Sequence, residues 1–314
     1  MIIYAMDIGG SSIKQSLIES TSTSNKIIRR METAYHRTNE FDDLKFLVIS
    51  LIGNTIKENK DLDVVAISTT GGVDRNGIVM SSGFFNGYAN VSWEKIIKKS
   101  YTKIKYVHTM NDGRASAWAE YMNSNEKPET FVHFVLGTGI GGSSIVDGKL
   151  LKGDFGAAGY LGHIKVSSTS STICSCGRTG CVETLASGPA IVRKFDELQN
   201  EDTQCKKFDL SDIVELCSNG DSNAISSVIY AAKNLGIAIS DIMNIFNPGV
   251  VTIGGGVILA LDNFGVDTFL PCVIDSAKSN AHKKTLSTNI RLAMLGNDAG
   301  MLGASAAAYE NIRR

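Results

Sequence analysis

Three times in this chain a short apolar run stops at a cluster of glycines. The runs are Ile2 to Met6, Phe131 to Leu136 and Val250 to Ile253. The clusters are Gly9-Gly10, inside Asp7-Ile8-Gly9-Gly10-Ser11-Ser12-Ile13-Lys14, then Gly137-Thr138-Gly139-Ile140-Gly141-Gly142, and finally Gly254-Gly255-Gly256. Short continuous apolar runs bounded by glycine read as buried strands. Glycines after a strand let backbone N–H groups approach anionic oxygens, and hydroxyls such as those of Ser11 and Thr138 add donors. None of the clusters carries a P-loop lysine motif, and none, including Gly137 to Gly142 with its G-x-G-x-x-G spacing, is the fingerprint of a Rossmann site. Any one of them could be a plain turn. Together, with Asp7 at the tip of the first strand, they suggest a nucleotide held between two glycine-rich jaws. Asp7 then lies near phosphates with a divalent cation between; its other reading is a turn-capping carboxylate.

The segments between the clusters alternate in period. Ser12 to Ile18 pairs with the first run as a hairpin, and Lys26 to Thr33 reads as a third strand. Leu44, Leu47, Val48, Leu51, Ile52 and Ile56 place a helix over Phe41 to Lys57. Val64 to Ser68 reads as a buried strand, Trp93 to Ser100 as a short helix, and Ile104 to Thr109 as a strand. A small-residue helix follows from Asp112 to Tyr121. Ala224, Val228, Ala232, Leu235, Ile239, Ile242 and Met243 line one face of a long helix that stops before Asn247-Pro248-Gly249. Strands alternating with helices define an α/β fold, and 314 residues are long for one core, so two domains are expected. The chain shows no fixed-period repeat.

Cys174-Ser-Cys176-Gly-Arg-Thr-Gly-Cys181-Val-Glu183 sets three cysteines at C-x-C-x4-C spacing, with glycines to turn the backbone and His163 upstream. Three thiolates and one imidazole make a closed tetrahedral set suited to a structural zinc. A disulfide framework is the weaker alternative in a long chain with six cysteines and no signal peptide. Unrelated thiols are the third reading, and Cys205, Cys217 and Cys272 are read as plain thiols. A net charge of −1 argues against a nucleic-acid surface. No apolar run approaches the roughly 18 residues of a membrane span. The first residues carry neither a basic region nor a cleavage site, so the expected location is the cytoplasm.

From Asp7 to about Ala308 the chain resembles the sugar kinases of the ROK family (repressor, open reading frame, kinase), among the actin-like ATPase folds. Asp7 to Lys14 matches the family's first phosphate loop and Gly137 to Gly142 its second. Cys174 to Glu183 matches its C-x-C-G-x-x-G-C-x-E zinc motif, and Asn247-Pro248 through Gly256 resembles its adenosine loop. The resemblance implies two ribonuclease-H-like α/β domains with the active site in the cleft between them. The small one would take residues 1–112 plus 298–314, and the large one, 113–297, would carry the zinc knuckle. It implies ATP, Mg²⁺ and a structural Zn²⁺ held by His163, Cys174, Cys176 and Cys181, a sugar as substrate, closure of the domains over it, and a homodimer. It also makes Asp112 of the Asn111-Asp112 pair the base that takes a proton from a sugar hydroxyl, a role worth on the order of 10² to 10⁴ in rate. Read alone, Asp112 would be a helix N-cap. Asn111, His163 and Glu183 would bond the sugar, with Asn90 preferred over Asn86 as a further contact; either could be a turn asparagine.

Three departures stand out. Where the family usually carries Glu-x-Gly-His, this chain has Tyr160-Leu-Gly-His163, placing a bulkier hydrogen-bond donor in the sugar pocket. The usual Asn-Asp-Ala-Asn reads Asn111-Asp112-Gly113-Arg114, and Arg114 could lower the base's basicity, contact phosphate or point outward. The loop at Gly71-Gly72 lacks its usual proline. The expected activity is ATP-dependent phosphorylation of a hexose, an N-acetylhexosamine or a β-glucoside, at the 6-hydroxyl. The Gly296-Asn-Asp298-Ala-Gly300 segment leans toward amino sugars or β-glucosides. The alternative is a non-catalytic sugar-binding regulator. Family repressors carry an N-terminal helix-turn-helix, whereas this sequence opens on the phosphate loop, and intact phosphate loops with Asp112 favour the kinase.

Overall fold

The structure, a computed structural model, describes residues 1–10, 12–22, 24–34, 40–82, 85–199 and 207–313. In chain order its elements begin with β1 (Ile2–Ile8), β2 (Ser12–Ser20), β3 (Asn25–Ala34), α1 (Phe41–Glu58) and β4 (Val64–Thr69). Then come β5 (Gly72–Val73), β6 (Ile78–Ser81), β7 (Val91–Ser92), α2 (Trp93–Ser100), β8 (Tyr106–Asn111) and α3 (Asp112–Asn123). The middle of the chain forms β9 (Thr130–Leu136), β10 (Ile140–Val146), β11 (Lys149–Leu150), α4 (Glu183–Ala186), α5 (Gly188–Leu198), α6 (Leu210–Ser218) and α7 (Ser222–Phe246). Last are β12 (Val250–Gly254), α8 (Gly256–Asn263), α9 (Phe269–Asn280), β13 (Asn289–Leu292) and α10 (Ala299–Arg313).

The chain divides into two compact units: Met1–Asn125 with Leu150–Ala158 and Asp298–Arg314, and Glu126–Lys149 with Gly159–Asn297. The first is built on a five-stranded sheet of order β3-β2-β1-β4-β8. The β1–β2–β3 meander is antiparallel, whereas β4 and β8 run parallel to β1. All six residues of β4 are buried, as a strand covered on both faces must be. Leu44, Val48 and Ile52 of α1 repeat every fourth residue and pack with Tyr4, Met6, Ile8, Ile67, Trp93 and Ile97 into one core. α3 and α10 pack on each other through small residues, so closely that a Cβ on Gly303 would overlap the Ala115 carbonyl. A second, three-stranded sheet, β5-β6-β7, completes the unit.

The second unit repeats the plan. Its sheet runs β11-β10-β9-β12-β13, with β10 antiparallel to β9 and with β12 and β13 parallel to it. Counted over its own strands, each five-stranded sheet has the order 3-2-1-4-5. Ala224, Val228, Leu235 and Ile239 of α7 bury against Val132, Phe134, Val251 and Ile253. Asp221 caps α7 by accepting from the Ala224 N–H, and Asn247 ends it in the left-handed region (φ 44°) ahead of Pro248. The predicted strands and helices stand, with two shifts. β8 runs from Tyr106 to Asn111 instead of Ile104 to Thr109, and Gly141 and Gly142 lie inside β10, paired with Val135 and Phe134, so the second glycine turn is only Gly137–Gly139. Among the described residues no helix is long and apolar enough to cross a membrane.

Candidate active site

In the first unit the three parallel strands end level, with Ile8 opposite Thr69 and Thr69 opposite Asn111. The carboxyl ends of strands in an open α/β sheet are where such folds place their ligands. Asp7 sits one residue from the end of β1, registered with Lys14 on β2 and Ser68 on β4. The Ser68 hydroxyl donates to Asp7 Oδ1 at 2.6 Å. Burial raises the Asp7 pKa, and the Ser68 hydrogen bond and the Lys14 charge offset part of that rise. Gly300, in the first turn of α10, lies so close that a Cβ would stand 2.7 Å from the Asp7 carboxyl carbon. The positive end of that helix is therefore beside Asp7. After Asp7, Gly9 and Gly10 turn the chain, with the Gly9 N–H donating to the Ser12 carbonyl at 3.1 Å. Ser11 lies outside the described residues.

Asn111, not Asp112, is the N-cap of α3: its Oδ1 accepts from the Arg114 N–H at 3.2 Å. Its Nδ2 donates to the Gly71 carbonyl at 2.9 Å and to Asp112 Oδ1 at 2.7 Å. Asp112 Oδ1 also accepts from the Gly113 N–H at 2.8 Å. The capping reading of Asp112 is thus replaced, because the strand delivers Asn111 to that position. The Asp112 side chain is solvent-accessible. The surrounding protein nonetheless deprives it of hydration and, with the Asp7 charge second, pushes its pKa up to about 7 from 3.8. Of the three things the sequence left open for Arg114, the structure excludes an outward-pointing side chain. It is buried, and its guanidinium donates to the carbonyls of Val73 (2.9 Å), Gly156 and Ala158 (3.1 Å). Asn90 is exposed in a turn at φ 56°, and Asn86 is exposed, its amide donating to Glu40 Oε1 at 3.0 Å.

In the second unit, His163, Cys174, Cys176 and Cys181 offer ligand atoms all within 4.8 Å of one another. Cys176 and Cys181 sulfurs are 3.6 Å apart, and His163 Nδ1 is 3.4 Å from Cys174 Sγ. A tetrahedron of zinc bonds about 2.3 Å to sulfur and 2.0 Å to nitrogen has edges of roughly 3.5–3.8 Å. The donor set therefore fits zinc. It does not fit a disulfide, whose sulfurs stand about 2.05 Å apart. Gly180 takes φ 79°, and a Cβ there would strike the Ser167 carbonyl, so the knuckle needs glycine at that position. The Tyr160 ring stacks on the His163 ring at 5.9 Å and 28° and is 53% exposed. Glu183 opens α4 and ties two motifs together. Its Oε1 accepts from the Ser175 hydroxyl (3.0 Å), and its Oε2 from the Ile140 N–H (3.0 Å) beside Gly139.

The second and third glycine clusters meet at one end of the second sheet. Gly254, the last residue of β12, pairs with Val135, and a Cβ on Gly255 would collide with the Leu136 carbonyl. The Gly188 N–H that starts α5 donates to the Gly137 carbonyl at 2.9 Å, and Gly255, at φ 98°, leads into α8 at Gly256. Thr138 is exposed at the tip of the turn. Two helix N-termini thus flank a glycine turn, an arrangement suited to phosphate.

A model of the ROK family matches residues 3–311 of this chain. The chain belongs to the ROK family. It is 30% identical to the N-acetylmannosamine kinase of Shigella flexneri, covering 97% of either chain. It is 28% identical to the glucokinase of Halalkalibacterium halodurans over 95% of this chain and 92% of that one. The crystal structure of the ROK hexokinase from Thermus thermophilus superposes with a TM-score of 0.80 at 24% identity, covering 100% of this chain and 99% of that one. The duplicated 3-2-1-4-5 sheets are accordingly the actin-like ATPase fold of the ROK kinases. Three contributors escaped the sequence reading of this ROK chain: Ser68 on Asp7, the Gly71 carbonyl on Asn111, and Gly300 against Asp7. Ser68 alone left a signal, as a hydroxyl at the end of an otherwise apolar strand.

Proposed function

We propose that this ROK protein is an ATP-dependent kinase of a hexose or N-acetylhexosamine, acting at the 6-hydroxyl with Asp112 as general base. The observation that carries it is the Asn111–Asp112 pair. Asn111 takes over the helix cap, and Asp112 is held by two donors on one oxygen with its pKa near the working pH of a base. In this reading Asp112 removes the proton of the sugar hydroxyl as that oxygen bonds to the γ-phosphorus. The bond to the bridging oxygen breaks, and ADP leaves with the electron pair. Asn111, His163, Glu183, Tyr160 and Asn90 would contact the sugar. Gly9, Gly10, Ser11, Lys14, Gly137, Thr138, Gly139, Gly254, Gly255 and Gly256 would hold the nucleotide.

The Asp7 charge adds to the negative surroundings of Asp112, which a Mg²⁺ carried with ATP would relieve, so Asp7 would be the residue to hold that ion. When bound, Mg²⁺ supplies charge neutralisation on the phosphates. Zinc at His163, Cys174, Cys176 and Cys181 would be structural, because four protein ligands leave no position for water. A homodimer in the cytoplasm belongs to the same reading, and light scattering on the purified chain tests the dimer.

The deciding experiment is an ADP-release assay over hexoses, N-acetylhexosamines and β-glucosides, with wild type beside Asp112→Asn. One sugar should turn over, and the variant should lose about 10² to 10⁴ in kcat while still binding that sugar by calorimetry. Silence across the panel, with sugar binding intact, would sink the kinase in favour of a sugar-binding regulator.

A further inference from the structure

The guanidinium of Arg114 is buried and committed to backbone carbonyls from two separate stretches of the first unit: Val73, just after the Gly71-Gly72 turn, and Gly156 with Ala158. A buried guanidinium is costly unless its donors are satisfied, and its flat fork of five N–H groups is the side chain able to bridge several fixed acceptors. The turn that it grips also presents the Gly71 carbonyl to Asn111 Nδ2, and the same Nδ2 donates to Asp112 Oδ1. The circuit closes on the helix itself, since the Arg114 N–H donates to Asn111 Oδ1.

We infer that Arg114 is a positioning residue: its side chain pins the Gly71–Val73 turn to the 156–158 segment and thereby fixes the orientation of the Asn111 carboxamide on Asp112. The inference rests on the kinase reading for its effect on turnover, and on geometry alone for the clamp. The guanidinium contacts of Arg114 run to the carbonyls of Val73, Gly156 and Ala158. The residue acts through the backbone, and misplacing a reacting group by about 1 Å is enough to cost on the order of 10² in rate.

Arg114→Gln should lower kcat about 10²-fold. The KM for ATP and sugar should stay near wild type, and the acidic limb of kcat/KM should move up as Asp112 loses its Asn111 hydrogen bond, in Arg114→Lys as well as in Arg114→Gln. Arg114→Lys keeps the charge but cannot span carbonyls on two segments, so it should fold without restoring kcat. Gly156→Ala provides an independent arm, because at φ 70° its Cβ would press the Arg75 nitrogen at 2.9 Å and push the Gly156 carbonyl off the guanidinium; kcat should fall there too. Two readouts need no turnover. Hydrogen exchange at the Asp74, Ile78, Gly156 and Ala158 amides should quicken in Arg114→Gln, and the Asn111 carboxamide NMR signals should lose their dispersion. Unchanged exchange and unchanged Asn111 signals overturn the clamp even if the wild type phosphorylates nothing. A loss carried wholly by KM would make Arg114 a substrate contact, and an acidic limb displaced in Arg114→Gln but restored in Arg114→Lys would mean that its charge acts on Asp112; either result overturns the inference.

Discussion

As the proposed general base, Asp112 faces two demands that ordinarily conflict, to be ionised for proton abstraction and basic enough to hold the proton it takes. Loss of hydration and the nearby Asp7 carboxylate settle them by lifting its pKa to about 7. Because the base must be ionised, activity should fall as pH drops through about 7, far above the 3.8 of an ordinary aspartate, so the acidic limb of kcat/KM belongs near neutrality. Asp7→Asn removes the neighbouring charge and should lower the Asp112 pKa, which a ¹³C carboxyl titration reads without any need for turnover. Linkage gives a matching sign in stability. A pKa raised on folding contributes stability at low pH that disappears as pH rises through the folded value, so ionised Asp112 opposes folding above pH 7. Asp112→Asn should therefore melt higher than wild type at pH 8, and the gap should close toward pH 4. A Tm difference independent of pH would contradict the assignment. At this scale the cysteine spacing announced the cluster of Cys174, Cys176 and Cys181 with His163 that the structure brings within 4.8 Å, whereas Asp112 read alone was a helix cap and its proposed role came from the family resemblance. Arg114 was not legible, because a side chain's direction depends on which carbonyls the fold leaves within its reach, and Val73, Gly156 and Ala158 lie far from it in sequence.

Between elements, α3 and α10 show why small residues recur in both. α3 carries Ala115, Ser116, Ala117 and Ala119, and α10 carries Gly303, Ala304, Ser305 and Ala306, all buried. Their backbones approach until Gly303 rests on the Ala115 carbonyl. Since α3 begins at Asp112 and α10 begins beside Asp7, the spacing of these helices sets the spacing of two carboxylates. Gly303→Ala should overpack the contact and cost about 1–3 kcal/mol, measurable as a lower urea midpoint with an unchanged m-value. It should also reduce kcat, because the helix that moves bears the base. The helices themselves were readable from their composition, but their approach was not. An alanine-rich stretch has no strong apolar stripe to say which face is buried, and only the partner's glycine reveals it. The second glycine cluster misled for a related reason. Gly141 and Gly142 look like turn residues, yet β9 supplies a complete ladder for them, and cross-strand pairing overrides the local preference.

Over the whole molecule, the same 3-2-1-4-5 sheet occurs twice with no repeat visible in the sequence. The topology requires only apolar strands followed by glycine turns, a pattern that Ile-Ile-Tyr-Ala-Met and Phe-Val-His-Phe-Val-Leu meet with different residues. The metal knuckle belongs to one unit alone. Each unit has its own apolar core, whereas the knuckle has little of its own. Residues 175–179 are exposed, and its strand pairing is limited to the isolated bridges Lys165–Cys181 and Ile173–Thr179. A segment with so few buried contacts would depend on a ligated ion for order. Atomic spectroscopy should find about one zinc per chain, and Cys176→Ser should lose it and lower the Tm by about 5 °C or more. The loss should not remain local. Glu183 connects Ser175 of the knuckle to the Ile140 N–H at the glycine turn, so disorder on one side releases the other. Hydrogen exchange in the zinc-free protein should quicken first across 164–182 and then at Ile140, while β12 stays protected. Its affinity for a non-hydrolysable ATP analogue should fall, because the turn at Gly137–Gly139 loses the carboxylate that holds its exit. Full nucleotide affinity in zinc-free protein would confine the ion to the knuckle and leave Glu183 without the coupling role its two hydrogen bonds give it.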